Sequence, residues 1–260
     1  MDRGSDGCGE EGDMRGTLHI FSGVEELVQR AAESITGALE TSIMSGGGAT
    51  VLLAGGNTPA RIYESLGHVT RNRVDWRRVH LFWGDERCVA PNMPESNYRM
   101  VEHSLLSRIE IPSGNIHRIE TEREPSEAAR MYEQEITRVF DLVPGVVPSF
   151  SLALLGLGED GHTASLFPGS ESLLERQRLA VDTFVAHLNT HRITVTLPVI
   201  NHASTVMMLV SGKSKSSILR EVLDDGPAQY PAQMVKPATG RLDWFIDREA
   251  ASQLRSGAQV

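Results

Sequence analysis

An α/β fold, with a mostly parallel sheet doubly wound by helices in a single domain, is what this 260-residue chain predicts. Three observations carry the prediction. Short runs of branched and aromatic residues alternate with segments of helical periodicity. Several of the runs are apolar throughout, as strands covered on both faces must be, and three of them stop at glycine. Length and composition agree, since a chain of this size with 40% hydrophobic residues can bury one large core.

The elements follow in order. Met1 to Gly16 is rich in Gly, Asp and Glu and has no apolar periodicity, so residues 1–16 are expected to be a disordered extension and residues 17–260 the domain. Order is expected from Leu18. Val24, Leu27, Val28, Ala31, Ile35 and Leu39 recur at helical spacing, giving an amphipathic helix that ends before Gly46-Gly47-Gly48. Thr50 to Leu53 is a short buried strand stopping at AGGNTP, and Pro59 suits the first turn of a helix through Ile62 and Leu66. Val79 to Trp83 is the next strand, ending at Gly84-Asp85-Glu86-Arg87. Ser96 and Ser126 are expected N-caps of helices carrying Met100, Leu105 and Leu106, then Tyr132, Ile136 and Val139. Four more strands are expected at Phe150 to Leu155, Ala180 to Val185, Ile193 to Leu197 and Val206 to Val210. A helix from about Ser214 to Leu223, a strand Leu242 to Ile246 and a closing helix from Asp247 complete the reading.

Composition excludes several classes of function. Net charge is −9 with Lys and Arg scattered, so the electrostatic footprint of a nucleic-acid or membrane-surface partner is missing. Cys8 and Cys88 lack metal-ligand spacing and form no disulfide framework, which fits a reducing compartment. Neither a membrane-length apolar run nor a signal peptide is evident, so a soluble, cytoplasmic protein is expected.

The chemistry concentrates in LLGLGEDGHTASLFPG, Leu154 to Gly169. An apolar strand there ends in Gly156, Gly158 and Gly161, which bracket Glu159, Asp160 and His162. Ligands of open α/β sheets bind beyond the carboxyl ends of the strands, and glycine lets the backbone approach them closely. An imidazole titrates near neutrality and an adjacent carboxylate can orient it, so His162 beside Asp160 suits a general base. A glycine-rich turn with a packing histidine is the competing reading.

Anion-binding types sit at other strand ends. Gly55, Gly56, Asn57 and Thr58 lie between a strand and a helix, where free N–H groups favour an anion, although the Walker spacing is absent and, taken alone, an ordinary capped turn is the commoner reading. Arg87 could fork onto phosphate oxygens or pair with Asp85 or Glu86. Arg192 opens a strand. Lys213 and Lys215 start a helix, where a lysine opposes the helix dipole; an anionic ligand would explain it, and a solvated lysine is the commoner case.

Five blocks, LAGGNTPARIYESL, WGDERCVAPNMPESNYRM, LLGLGEDGHTASLFPG, RITVTLPVINHASTVMMLVSGKSKSSIL and the closing WFID, resemble in order the signature blocks of the 6-phosphogluconolactonase family. The resemblance spans about Leu18 to Ala251, and DGHTASLFPG is its most specific part. It implies a Rossmann-like fold shared with glucosamine-6-phosphate deaminases and ribose-5-phosphate isomerases. The implied reaction is hydrolysis of 6-phosphogluconolactone in the oxidative pentose phosphate pathway, with no metal or organic cofactor. Glucose-6-phosphate dehydrogenase, which makes the lactone, is the implied functional partner. By the same resemblance His162 is catalytic with Asp160 beside it, and Arg87, Arg192 and Lys215 hold the phosphate; Lys215 matches because the family's lysine stands three residues after the glycine, here Gly212. One departure is that the usual Ser-Gly-Gly-Ser-Thr-Pro reads Ala54 to Pro59 as AGGNTP, removing two hydroxyls.

A lactone needs an activated water and stabilisation of the carbonyl oxygen as it becomes negative. The Gly-x-Ser-x-Gly elbow is absent and Ser165 lies beyond the turn, so direct water attack is expected rather than an acyl-enzyme. Backbone N–H groups near Gly161 and an arginine are both candidates for the oxyanion role. Two alternatives stand: a sugar-phosphate deaminase or isomerase, and a non-catalytic sugar-phosphate sensor. The related deaminases carry an acid five residues after the histidine and a tyrosine after the Asp-Glu pair, whereas here those positions are Phe167 and Arg87.

Overall fold

In the computed structural model, which describes residues 16–223 and 228–254, seven strands form one wholly parallel sheet. Strands β1 (Thr17–Phe21), β2 (Ala49–Leu53), β3 (Val79–Trp83), β5 (Ile116–His117), β6 (Leu152–Gly156), β9 (Thr205–Val210) and β10 (Arg241–Asp247) lie in the order β1-β10-β9-β6-β2-β3-β5. The chain runs outward from β2 through β3 to β5, then returns to lay β6 against the other side of β2 and continues to β9 and β10. The direction of winding therefore reverses between β2 and β6, and a crevice opens at such a switch point. Leu152, Ala153 and Leu154 of β6 are 0% exposed, as a central strand covered on both faces requires. One continuous apolar core joins these strands to the helices.

The helices are α1 (Val24–Gly46), α2 (Asn57–Val69), α3 (Asn97–Ser104), α4 (Pro125–Val139), α5 (Leu197–Asn201) and α6 (Ser216–Leu223). Ser96 caps α3 as expected, its hydroxyl accepting from the Arg99 N–H. The Ser126 cap is corrected: α4 begins at Pro125, with Glu124 at the cap position, because the fixed φ of proline already suits the first helical turn. The closing helix is also corrected among the described residues. Strand β10 runs on through Asp247, whose carboxylate accepts from the Gly212 and Ala250 N–H groups, and only a 3-10 turn, Ala250–Gln253, follows. The proposed extension before Gly16 and residues 255–260 lie outside the described residues.

The largest difference from the sequence reading is a second sheet. Strands β7 (Ala180–Val185) and β8 (Thr190–Val195) leave the parallel sheet and pair antiparallel with each other, and β8 pairs with a short strand β4 (Asp85–Arg87). The cause is the length of the connection. A parallel crossover needs a dozen or more residues, and Ala186 to Asn189 supply one tight turn, with Asn189 at φ 47°. In the β4–β8 ladder Arg87 and Arg192 are direct register partners.

Candidate active site

The cleft at the β2–β6 switch point has a volume of about 230 Å³. Four strand ends supply its walls: Leu53 to Gly56 after β2, Gly84 and Asp85 after β3, Gly156 to Glu159 and His162 after β6, and Lys215 after β9. Arg87 and Arg192 come from the small sheet.

Local geometry in the turn after β6 explains its sequence. Asp160 Oδ1 accepts from His162 Nδ1 at 2.5 Å and from the His162 backbone N–H at 3.2 Å, so one carboxylate holds both ring and chain. A carboxylate is acceptor only, which puts the hydrogen on Nδ1 and the lone pair on Nε2. Gly158 must be glycine for this arrangement, because a Cβ there would lie 2.1 Å from His162 Nδ1. Gly161 takes φ +78°, which L side chains resist, and its N–H donates to Gly158 O at 3.1 Å. Burial raises the Asp160 carboxyl, but the His162 charge and N–H bonds outweigh it and hold the group below the ordinary carboxylate range. On its other side the His162 ring packs against Phe167, with centroids 4.4 Å apart, and the Arg192 guanidinium stands 5.9 Å over that same ring.

Like charges converge at the opposite wall. Arg87 and Arg192 face each other across the antiparallel ladder, an arrangement that is unfavourable by itself. Among the described residues, the Nε atoms of both are buried without a hydrogen-bond partner. Arg87 donates through Nη1 to the Glu95 carbonyl oxygen at 2.6 Å, and among the described residues no carboxylate lies within ion-pair distance of it, so the pairing with Asp85 or Glu86 does not form. Glu86 instead turns inward and accepts from the backbone N–H groups of Arg87, Asn97 and Tyr98, holding the start of α3. Burial, and then the Arg87 charge, pull the Arg192 guanidinium below its ordinary value. Arg192 Nη1 is 3.9 Å from Asp85 Oδ2, and Lys215 Nζ is 4.0 Å from the exposed Glu159. The start of α2 at Gly56 has no side-chain cap, which leaves its first-turn N–H groups available to an anion.

Of the residues singled out from sequence, Gly55, Gly56, Arg87, His162, Arg192 and Lys215 meet on the cleft wall, and Asp160 stands behind His162. Gly156, Gly158 and Glu159 line it as well, whereas Asn57, Thr58, Gly161 and Lys213 do not. Thr58 turns its hydroxyl to Ser211 Oγ at 2.7 Å, Asn57 is exposed, and the Gly161 N–H, a candidate oxyanion donor, is already bonded to Gly158 O. Lys213 is exposed and off the wall. No group of three or more His, Cys, Asp or Glu among the described residues is arranged to hold a metal.

Sequence reasoning missed Asp85 as an organiser. Its carboxylate accepts from Ser165 Oγ at 2.6 Å and from Asn97 Nδ2 at 3.2 Å, tying β4, α3 and the turn beyond His162 together. The available signal was its place in the Gly84-Asp85 step just beyond β3. Ser165, buried and donating to that carboxylate, is not poised as a nucleophile.

Fold and site together define an open α/β protein whose switch-point cleft joins an Asp-backed imidazole to an anion-attracting wall. Residues 22–244 match the family model described as glucosamine-6-phosphate isomerases/6-phosphogluconolactonase, and the chain belongs to that family. It is 40% identical to a 6-phosphogluconolactonase from a Synechocystis strain, over 93% of this chain and 100% of that one. Among solved structures, 6-phosphogluconolactonase from Thermotoga maritima is 32% identical with a TM-score of 0.77, covering 89% of this chain and 99% of the other. The Trypanosoma brucei 6-phosphogluconolactonase is 27% identical with a TM-score of 0.81, over 92% and 99% respectively.

Proposed function

We propose that this chain hydrolyses 6-phospho-D-glucono-1,5-lactone to 6-phospho-D-gluconate, the lactonase step of the oxidative pentose phosphate pathway. The observation that carries the reading is a single cleft receiving both the Asp160-backed His162 and the cationic side chains Arg87, Arg192 and Lys215. The similarity to 6-phosphogluconolactonases over almost the whole chain supports it.

In the reaction, His162 Nε2 takes a proton from a water as the water oxygen bonds to the lactone carbonyl carbon. Asp160 keeps the ring in the tautomer that leaves Nε2 free and stabilises the imidazolium that forms. When the tetrahedral intermediate collapses, the carbon–ring oxygen bond breaks and the imidazolium returns its proton to that oxygen. Arg87, Arg192 and Lys215, with the open N-terminus of α2, bind the phosphate and so orient the remote ester.

A deaminase or isomerase is disfavoured by Phe167, which puts an apolar ring against His162 where the related deaminases carry an acid. Functional coupling to glucose-6-phosphate dehydrogenase follows from the chemistry, since that enzyme produces this lactone, and the sparing use of cysteine supports a cytoplasmic location. The deciding experiment is an assay of freshly generated 6-phosphogluconolactone against an enzyme-free blank. Lactone loss no faster than the blank would end the lactonase reading and leave a sugar-phosphate sensor.

A further inference from the structure

We infer that Tyr230 is a positioning residue for this reaction, its ring seating the Gly161 turn so that His162 faces the ligand whose phosphate Lys215 binds. The inference rests on the lactonase reading above. The Tyr230 ring lies directly on the Gly161 backbone: a Cβ at Gly161 would fall 2.5 Å from Tyr230 Cδ1 and 2.7 Å from its Cγ. Ala232 then donates its N–H to Gly161 O at 3.1 Å. These contacts reach the residue immediately before His162 from outside the turn. Within the turn, Gly158 N–H donates to His162 O and Gly161 N–H to Gly158 O, bonds that close the loop on itself without anchoring it to the molecule.

Tyr230 is itself held from the far side. Its hydroxyl donates to the Glu221 carboxylate, and Gln233 Nε2 donates to the Glu221 carbonyl oxygen at 3.2 Å. Gln233 Oε1 accepts from the Gln229 and Tyr230 N–H groups at 2.8 and 3.0 Å, so the segment is braced before the ring emerges from it. Glu221 belongs to α6, which starts at Ser216, the residue after Lys215. One packed path therefore runs from Lys215 through α6, Glu221 and Tyr230 to Gly161 and His162. Its two ends meet the two ends of the substrate, and the separation between phosphate and scissile ester is set along it.

The test compares the parent with Tyr230→Ala and Tyr230→Phe, measuring kcat and KM for 6-phosphogluconolactone and Ki for 6-phosphogluconate as the unreactive ligand. Small misplacements of a reacting group reduce turnover severely, so Tyr230→Ala is expected to lose about 10- to 100-fold in kcat. Its Ki should stay within about twofold of the parent, and Tyr230→Phe, which keeps the ring on Gly161, should recover kcat to within about threefold. An unchanged kcat in Tyr230→Ala overturns the inference, as does a Ki that worsens in step with kcat, or a phenylalanine variant as slow as the alanine one. Should Tyr230→Ala not fold, Tyr230→Leu removes the flat ring from Gly161 and keeps apolar bulk. That variant is then expected to lose about tenfold in kcat at constant Ki, and no loss would equally overturn the proposal. A parent without turnover would sink the lactonase reading instead, so the two failures are distinct.

Discussion

At the residue scale, the geometry of His162 makes it the largest expected single loss. His162→Ala should fold, because the ring is packed mainly against Phe167 at the cleft edge, while kcat falls by about 10²- to 10⁴-fold, the range of a lost general base. Steady-state assay of the purified variant checks this, and parental turnover would remove His162 from the chemistry. The proposed phosphate wall yields a second prediction. Arg87→Ala, Arg192→Ala and Lys215→Ala each delete a charge-assisted hydrogen bond worth about 1.5–3 kcal/mol, lowering kcat/KM for the phosphorylated lactone by about 10- to 150-fold. Unphosphorylated gluconolactone should be far less affected, and equal losses on both substrates would mean that these side chains support the fold or the carbonyl chemistry. Cys88 stands outside this chemistry. Burial, followed by Asp182 and Glu86, pushes its thiol up to about 11, so little thiolate is present near neutrality.

At the element scale, two tyrosines repair the backbone where strands leave the sheet to build the cleft. Tyr63 OH accepts from Ala54 N–H and donates to Ala54 O, both at 3.0 Å, just beyond β2. Tyr132 OH does the same for Trp83 at the end of β3, accepting at 2.8 Å and donating at 2.7 Å. Tyr132→Phe leaves both Trp83 groups buried without that partner and should cost about 1–3 kcal/mol in denaturant unfolding. A variant as stable as the parent would show that the Trp83 backbone is satisfied another way. Strands β3 and β5 carry a titrating chain: His80 Nδ1 lies 2.9 Å from His117 Nε2, and His117 Nδ1 donates to Glu135 on α4 at 2.7 Å. Burial lowers both histidines below their ordinary value, with Arg138 nearby adding to it, although Glu135 partly restores His117. The unfolded chain therefore takes up protons first as pH falls. Stability is full above about pH 6.5 and is lost as pH drops through the lowered folded values. Melting temperature should fall between about pH 7 and pH 5, less steeply in His117→Asn, and identical slopes would exclude the chain as the cause. The helices α1, α2 and α6 and the central strands were legible from periodicity. The β7–β8 hairpin was legible only in part, since its short connection was present in the sequence but its antiparallel pairing with β4 depends on residues a hundred positions away.

At the scale of the whole molecule, an acidic protein with net charge −9 brings two arginines opposite each other on adjacent strands. An anion relieves that opposition, so a phosphorylated ligand should stabilise the fold by mass action. At 6-phosphogluconate concentrations near 100 times its Kd the gain is about 2.7 kcal/mol, which for a domain of this size raises Tm by about 5–11 °C. The shift should shrink in Arg192→Ala, and an equal shift in that variant would place the ligand elsewhere. The sequence by itself determined the sheet-forming runs, the glycine turn that brings Asp160 onto His162, and the family, because these depend on residues close together or on ordered blocks of local pattern. Asp160 and His162 are two positions apart, so turn geometry alone can join them. Only the tertiary structure decided that Arg87 faces Arg192, that Asp85 ties Ser165 to Asn97, and that Tyr230 lies on Gly161. Those contacts span from 12 residues, for Asp85 and Asn97, to 80 for Asp85 and Ser165 and more for the arginines, and the chain between them must be folded back by sheet register and core packing before either member has a neighbour.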